Sequence, residues 1–277
     1  MDKKVQEIKQ DGNDFHYKVK KALTDIGWTV RMSPHYNDSF SEKPREIDII
    51  AEKAFPPVER SVYRGTVIVR LFIECKYTTE QTTFWFDERN LDKAKEVVNE
   101  TRSFSEVERN YQVQTEHHYL SKSLIAKLFR TEGKNPDGDP VYKALTQCLN
   151  ATIYYRHHRT DLRDRYSHQT VTELNYPIIV TNSFEKVFKK DTTTDSNLSL
   201  VAEPFQLEVD YAYTIKDKQL EEMFYIDILS IEMLKTFEEE TLIKEINLAK
   251  QKMSEDKREA NFQGQDLGYN PFDPYGI

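Results

Sequence analysis

The stretch from Thr66 to Tyr77, TVIVRLFIECKY, narrows the choice of fold more than any other part of the chain. In a strand, successive side chains point to opposite faces. Val67, Val69, Leu71, Ile73 and Cys75 then make one wholly apolar face, and Ile68, Arg70, Phe72, Glu74 and Lys76 make the other. A strand this apolar is expected to be central and covered on both sides. Its second face ends in a carboxylate and an ammonium, which are costly under cover unless they have partners or a task. Glu74 and Lys76 are therefore the first functional candidates.

Arg45 to Lys53, REIDIIAEK, repeats the alternation, with Ile47, Ile49 and Ala51 on one face and Glu46, Asp48, Ile50 and Glu52 on the other. Paired as a hairpin, the two strands place Asp48 beside Glu74. Two carboxylates converging near a lysine suit a hard divalent cation, which takes oxygen ligands. The lysine is then placed to orient an attacking water.

Asp48 followed by Glu74-Cys75-Lys76 at the end of an apolar strand resembles the core of the PD-(D/E)XK phosphodiesterases, the restriction-endonuclease-like fold, and most of all the Mrr-like branch. There a GxxF-type helix, a GW/GY-V strand, an E-I-D strand and an E-C-K strand follow in that order. Here the matching positions are Gly12 to Phe15, Gly27 to Val30, Glu46 to Asp48, and Glu74 to Lys76. The resemblance covers the N-terminal part well and the rest in outline. An E-x-K alone is a weak signal; its place after an apolar strand, a hairpin away from E-I-D, makes it specific. The resemblance implies that Asp48, Glu74 and the Cys75 carbonyl hold Mg²⁺ or Mn²⁺, that Lys76 positions the water, and that DNA is cut. Glu46 shares Asp48's face and is a candidate for support around the metal. One position departs from the pattern: the residue after Phe15, often a helix glutamate in relatives, is His16. That leaves open what the helix gives the site.

The net charge of −8 opposes docking on a polyanion, so any basic surface has to be local or borrowed. The strongest local cluster is RHHRTDLRDRYSH, where Arg156, Arg159, Arg163 and Arg165 stand against Asp161 and Asp164. Two readings compete there: ion pairing on an exposed helix end, and contacts to nucleic-acid phosphates. His157-His158 and His117-His118 read as poor zinc sites, because adjacent residues do not share a helix face and no cysteine pair completes the set. Cys75 and Cys148 form no disulfide framework. The sequence contains no P-loop, no G-x-G-x-x-G and no DNA-reading module. It contains no membrane span or leader-like run, and a cytoplasmic protein is expected.

Hydrophobic content is only 38%, but 15 Phe and 16 Tyr supply enough large residues for a core. Periodicity predicts a helix over Asp2–Ile26, or two helices with the interruption at Gly12, and a strand over Trp28–Ser33, then a polar loop over Pro34–Pro44. Past the strand at Thr66, it predicts a helix capped by Asp87, and helices over Tyr119–Arg130 and Val141–His158. Tyr176–Thr181 reads as a strand, with Pro177 marking a strand start or edge. A short helix or turn over Phe184–Lys190, strands over Phe205–Ile215 and Met223–Leu229, and a helix over Ile231–Met253 complete the pattern. On that helix Glu238 to Glu240 read as a solvated face.

The expected architecture is one α/β domain over residues 1–260: a mixed central sheet flanked by helices, with a helical insertion at about 105–169 and a long C-terminal helix. The aromatic tail over 261–277 is expected to be flexible or to dock a partner. The expected function is a metal-dependent DNA endonuclease, an effector in phage defence, working as a homo-oligomer or with a partner that supplies specificity. The alternative is a catalytically inactive subunit of the same fold, serving nucleic-acid binding or assembly. A third reading takes Glu74 and Lys76 as a buried ion pair and nothing more.

Overall fold

The computed structural model describes residues 12–38, 43–56, 66–101, 117–157, 171–194, 197–215 and 218–250. In chain order the strands are β1 Thr29–Met32, β2 His35–Asn37, β3 Pro44–Glu46, β4 Ile49–Phe55, β5 Thr66–Lys76, β6 Thr82–Glu88, β7 Leu124–Thr131, β8 Val171–Thr181, β9 Val187–Asp191, β10 Ser199–Leu200, β11 Phe205–Ile215 and β12 Lys218–Ser230. The helices are α1 Gly12–Asp25, α2 Leu91–Thr101, α3 Pro140–His157, and α4 over 234–250, which includes a π-helical turn at Glu238–Leu242.

The architecture is α/β. One ten-stranded mixed sheet has the order β1-β4-β5-β8-β12-β11-β7-β6-β9-β10, and β2 and β3 form a separate two-stranded sheet. As its two apolar faces demand, β5 is buried from Thr66 to Cys75, and only Lys76 is partly exposed. It pairs antiparallel with β4 over Val67–Ile73 and parallel with β8 along its full length. One face packs Val67, Val69, Leu71, Ile73 and Cys75 against Phe15, Val19 and Leu23 of α1, together with α2 and α4. The other packs Phe72 and Ile50 against Cys148 and Ala151 of α3. Gly27 ends α1 with φ 87°, a backbone that glycine adopts without a Cβ penalty. Among the described residues, no helix is long and apolar enough to cross a membrane.

Several elements differ from the expected ones. The strand read over Arg45–Lys53 is broken in two: Pro44–Glu46 joins the small sheet and Ile49–Phe55 the large one. The break turns Ile47 away from Ile49 and Ala51, into the cluster of Tyr36, Ile50 and Phe72. The expected helix over Tyr119–Arg130 is a 3-10 turn followed by β7. Its apolar spacing is helix-like, but Ile125 enters one core and Ala126 the other, as consecutive residues of a covered strand do. The span 105–169 is therefore not purely helical: it supplies a strand as well as α3. Its remainder, 105–116 and 158–169, lies outside the described residues, as do 2–11, 251–253 and the tail.

Phe184–Lys190 is neither helix nor simple turn but leads into β9. Asp87 lies in β6, and the cap of α2 is Asn90, whose Oδ1 accepts from the Lys93 amide at 3.1 Å. Pro177 is neither at a strand start nor on an edge. It sits inside β8, between β5 and β12, at the step before the β12 pairing begins with Ile178. A missing N–H is tolerated there because the ladder on that side has not yet started. Glu238 is buried rather than solvated, accepting from Trp28 Nε1 at 2.8 Å and pairing with Lys53. The expected strand Met223–Leu229 is the inner part of the longer β12.

Candidate active site

The break between β3 and β4 is what shapes the site. Ser33, with φ 46°, donates its amide to the Asp48 carbonyl at 2.9 Å and holds the bend at the start of β4. The β4–β5 register pairs Ile49 with Ile73, so Asp48 falls beside Glu74, where the two strands end. The Asp48 amide donates to Glu74 Oε1 at 3.3 Å, and Lys76 Nζ donates to Glu74 Oε2 at 3.0 Å. The Cys75 amide donates to Asp48 Oδ2 at 2.8 Å.

Glu74 shares the parity of Phe72 and lies on the α3 side. Asp48 reaches the α1 side, where His16 Nε2 stands 3.4 Å from its Oδ2. His16 thus occupies the helix position that the sequence left open. Asp48 Oδ1 accepts no hydrogen bond among the described residues. Glu74 is fully buried, whereas the Lys76 and His16 side chains are about one-fifth exposed (22% and 20%), so the cluster opens toward solvent through them.

Burial pushes the Glu74 carboxyl up to about 8, with Asp48 adding to the rise and Lys76 opposing it. Lys76 loses hydration on burial, but the Glu74 and Asp48 carboxylates outweigh that and raise its pKa. Burial raises the Cys75 thiol well above its ordinary value, and Asp48 and Glu74 add to it. Cys75 is therefore a neutral thiol, and its contribution here is its backbone.

A ring nitrogen of His16, a carboxylate oxygen of Asp48 and the Cys75 sulfur all lie within 4.8 Å of one another, a grouping that does not include Glu74. With the thiol neutral, the imidazole and the carboxylate are the donors suited to a borderline divalent cation such as Mn²⁺, and Glu74 adds a second carboxylate on the α3 side. The other expected site residues lie elsewhere. Glu46 is exposed in β3, with its carboxylate 3.9 Å from His35. Arg156 is held by a bidentate pair to Glu222, at 2.6 and 2.9 Å. Its acid comes from β12 and not from its own helix. Arg159, Arg163 and Arg165 lie outside the described residues.

A second buried cluster escaped the sequence. His117 and His118 are not on a helix: they enter a 3-10 turn with stacked rings, and both reach Glu245 of α4. His117 Nδ1 accepts from the Tyr119 amide at 3.0 Å, so its proton is on Nε2, which faces Glu245 Oε2 at 3.1 Å. His118 Nδ1 lies 3.1 Å from Glu245 Oε1, and its Nε2 lies 3.1 Å from Asp227 Oδ2. Burial works against charge on His118, but Asp227 and Glu245 outweigh it and hold its pKa up to about 9. Gln206 Nε2 donates to Asp227 Oδ1 at 3.3 Å, and Arg89 donates to Gln206 Oε1 at 2.6 Å. Although His117, His118 and Glu245 are close enough to hold a metal, the ring nitrogens aimed at Glu245 carry protons. The cluster ties α4 to the sheet.

No protein-family model, curated protein or solved structure matches the chain.

Proposed function

We propose that the chain is a metal-dependent phosphodiesterase that cuts DNA, built on a restriction-endonuclease-like core. The carrying observation is the convergence of Asp48, Glu74, Lys76 and the Cys75 backbone at the end of one strand pair, with His16 beside them. A buried carboxyl held up to about 8 is expensive to ionise. Such perturbed groups cluster where chemistry is done.

Asp48, Glu74, the Cys75 carbonyl and His16 would hold the cation. Bound there, Mg²⁺ or Mn²⁺ supplies Lewis acidity to the phosphoryl group. Everything else is done by this chain's residues. The Cys75 amide fixes the rotamer of Asp48. Glu74 anchors Lys76 within hydrogen-bond range of incoming water. Lys76, protonated and partly exposed, orients the attacking water and offsets charge developing on the phosphate. Specificity and activation come from self-assembly or from a partner, since two strands are most simply cut by two symmetry-related sites. A role as a defence effector rests on the resemblance to Mrr-like proteins.

The test is nicking of supercoiled plasmid by the full chain. Cleavage should require Mg²⁺ or Mn²⁺, stop with EDTA, and be lost in Lys76→Ala. Cutting that survives EDTA would overturn the reading. No cutting and no metal binding would favour the inactive nucleic-acid-binding subunit.

A further inference from the structure

The acidic balance of the chain leaves open where a polyanion would lie, and Arg156 is committed to Glu222. A different surface has the right chemistry. A groove of about 850 Å³ runs along β7 and the start of α3, lined by Lys127, Phe129, Arg130, Lys134 and Tyr142, among others. Asp139 is the acid in that lining. It is buried and already occupied, accepting from the Thr131 and Val141 amides at 2.9 and 2.8 Å. Lys127 stands 3.9 Å from the carboxylates of Asp87 and Glu208, so Arg130 and Lys134 are the cations that the groove offers on a chain of net charge −8.

Three further observations fit one occupant. Tyr142 is 49% exposed, a flat ring facing solvent at the groove. Arg130 is exposed and has no ion pair among the described residues. Lys134 pairs with Glu80 at 3.3 Å, but both side chains are well exposed, and such a surface pair exchanges readily for a phosphate.

Continuity links the groove to the site. Lys134 also lines a smaller cavity of about 170 Å³, whose wall includes Lys76, Tyr77 and Thr78. The Thr78 amide donates to Asn182 Oδ1 at 2.7 Å, which fixes the chain as it leaves Lys76. Cations thus run from Lys76 through Lys134 to Arg130, with Tyr77 at one end and Tyr142 at the other.

We propose that this groove holds single-stranded DNA flanking the cleaved bond, its phosphates on Lys134 and Arg130 and a base stacked on Tyr142. The proposal rests on the phosphodiesterase reading of the Lys76 end. Stacking requires an unpaired base with a free π-face, and a basic groove lined with aromatics is how sequence-independent single-strand binding is built. A duplex buries those faces in its own stack.

The test is fluorescence anisotropy of a labelled oligothymidylate and of a duplex of equal length, with the full chain in EDTA so that nothing is cut. The single strand should bind more tightly. Arg130→Glu with Lys134→Glu should weaken it at least about tenfold and lower its salt slope by roughly 1.4, two phosphates' worth for a single strand. Tyr142→Ala should weaken it by about tenfold. Circular dichroism and melting temperature of these surface variants should match wild type. Unchanged affinity in the variants overturns the groove, and so does preference for duplex or absence of binding. The melting temperature of the same proteins is then measured with Mn²⁺ in place of EDTA, where the metal reading expects a rise. If wild type shows none while the groove variants still lose single-strand binding, the metal reading falls and the groove stands.

Discussion

Glu74 and Glu245 are both buried carboxylates beside a basic group, yet their surroundings differ. Around Glu245, each carboxylate faces an imidazole nitrogen that carries a proton, and Asp227, Gln206 and Arg89 extend the chain of donors and acceptors. Around Glu74, Asp48 Oδ1 is left without a hydrogen bond among the described residues, and the cluster opens through Lys76 and His16. A fully satisfied polar network rigidifies a core. A cluster of oxygens with spare lone pairs and a way out to solvent is suited to taking a ligand. Burial of acid alone does not separate the two; what separates them is the count of donors against acceptors.

The comparison breaks most visibly in activity. Lys76→Ala or Asp48→Ala should lower plasmid nicking by about a hundredfold or more, the range of a lost catalytic proton or water-orienting group. Glu245→Gln should leave the nicking rate per folded molecule unchanged. Equal losses in both would merge the two regions.

Stability should divide the opposite way. Glu245→Ala strands His118 between fewer partners and should destabilise the fold by about 3–5 kcal/mol in urea unfolding. Glu74→Gln removes a buried ionisable group at little expense and should be near neutral. A large loss in Glu74→Gln would mean that the Glu74–Lys76 pair is structural.

The two regions also separate on the pH axis. His118 has its folded pKa raised from 6.5 to about 9. Its contribution is present in full below 6.5 and is lost as pH rises through 9, up to about 3 kcal/mol. Glu74 is a carboxyl raised from 4.5 to about 8. The folded state then holds the proton longer than the unfolded state, so stability falls as pH rises from 4.5 to 8. Glu74→Gln should flatten the lower part of the stability curve, and His118→Gln the upper part. Urea midpoints from pH 5 to 10 test both.

The smallest expected effect concerns the metal. An imidazole ligand favours Mn²⁺ over Mg²⁺, so wild type should cut faster in Mn²⁺. His16→Ala should narrow that ratio by about tenfold or less. An unchanged ratio would place His16 outside the coordination.

Much of the site was legible because it sits on local patterns. The alternation in Thr66–Lys76 and the position of Asp48 at a strand end fix the Asp48–Glu74 neighbourhood once the strands pair as a hairpin. Glu46 was misplaced because a single continuous alternation was read through a bend that Ser33 and Asp48 create. The turn at His117 was missed for a related reason. Its rings meet Glu245 and Asp227 across more than a hundred residues of chain, and spacing rules do not register such contacts. β7 was hidden by helix-like spacing, and its partner β6 is set by pairing at a distance. With it went the groove: a helix over Tyr119–Arg130 does not place Lys127 and Arg130 as β7 does, and it is β7 with the turn after it that brings Lys127, Arg130 and Lys134 beside Tyr142.

Calorimetric titration with Mn²⁺ of wild type, Asp48→Ala and Glu245→Gln tests the central claim most directly. The account expects saturable binding in wild type, its loss in Asp48→Ala, and its retention in Glu245→Gln. Binding that survives Asp48→Ala and disappears in Glu245→Gln would place the metal at the histidine turn and contradict the account.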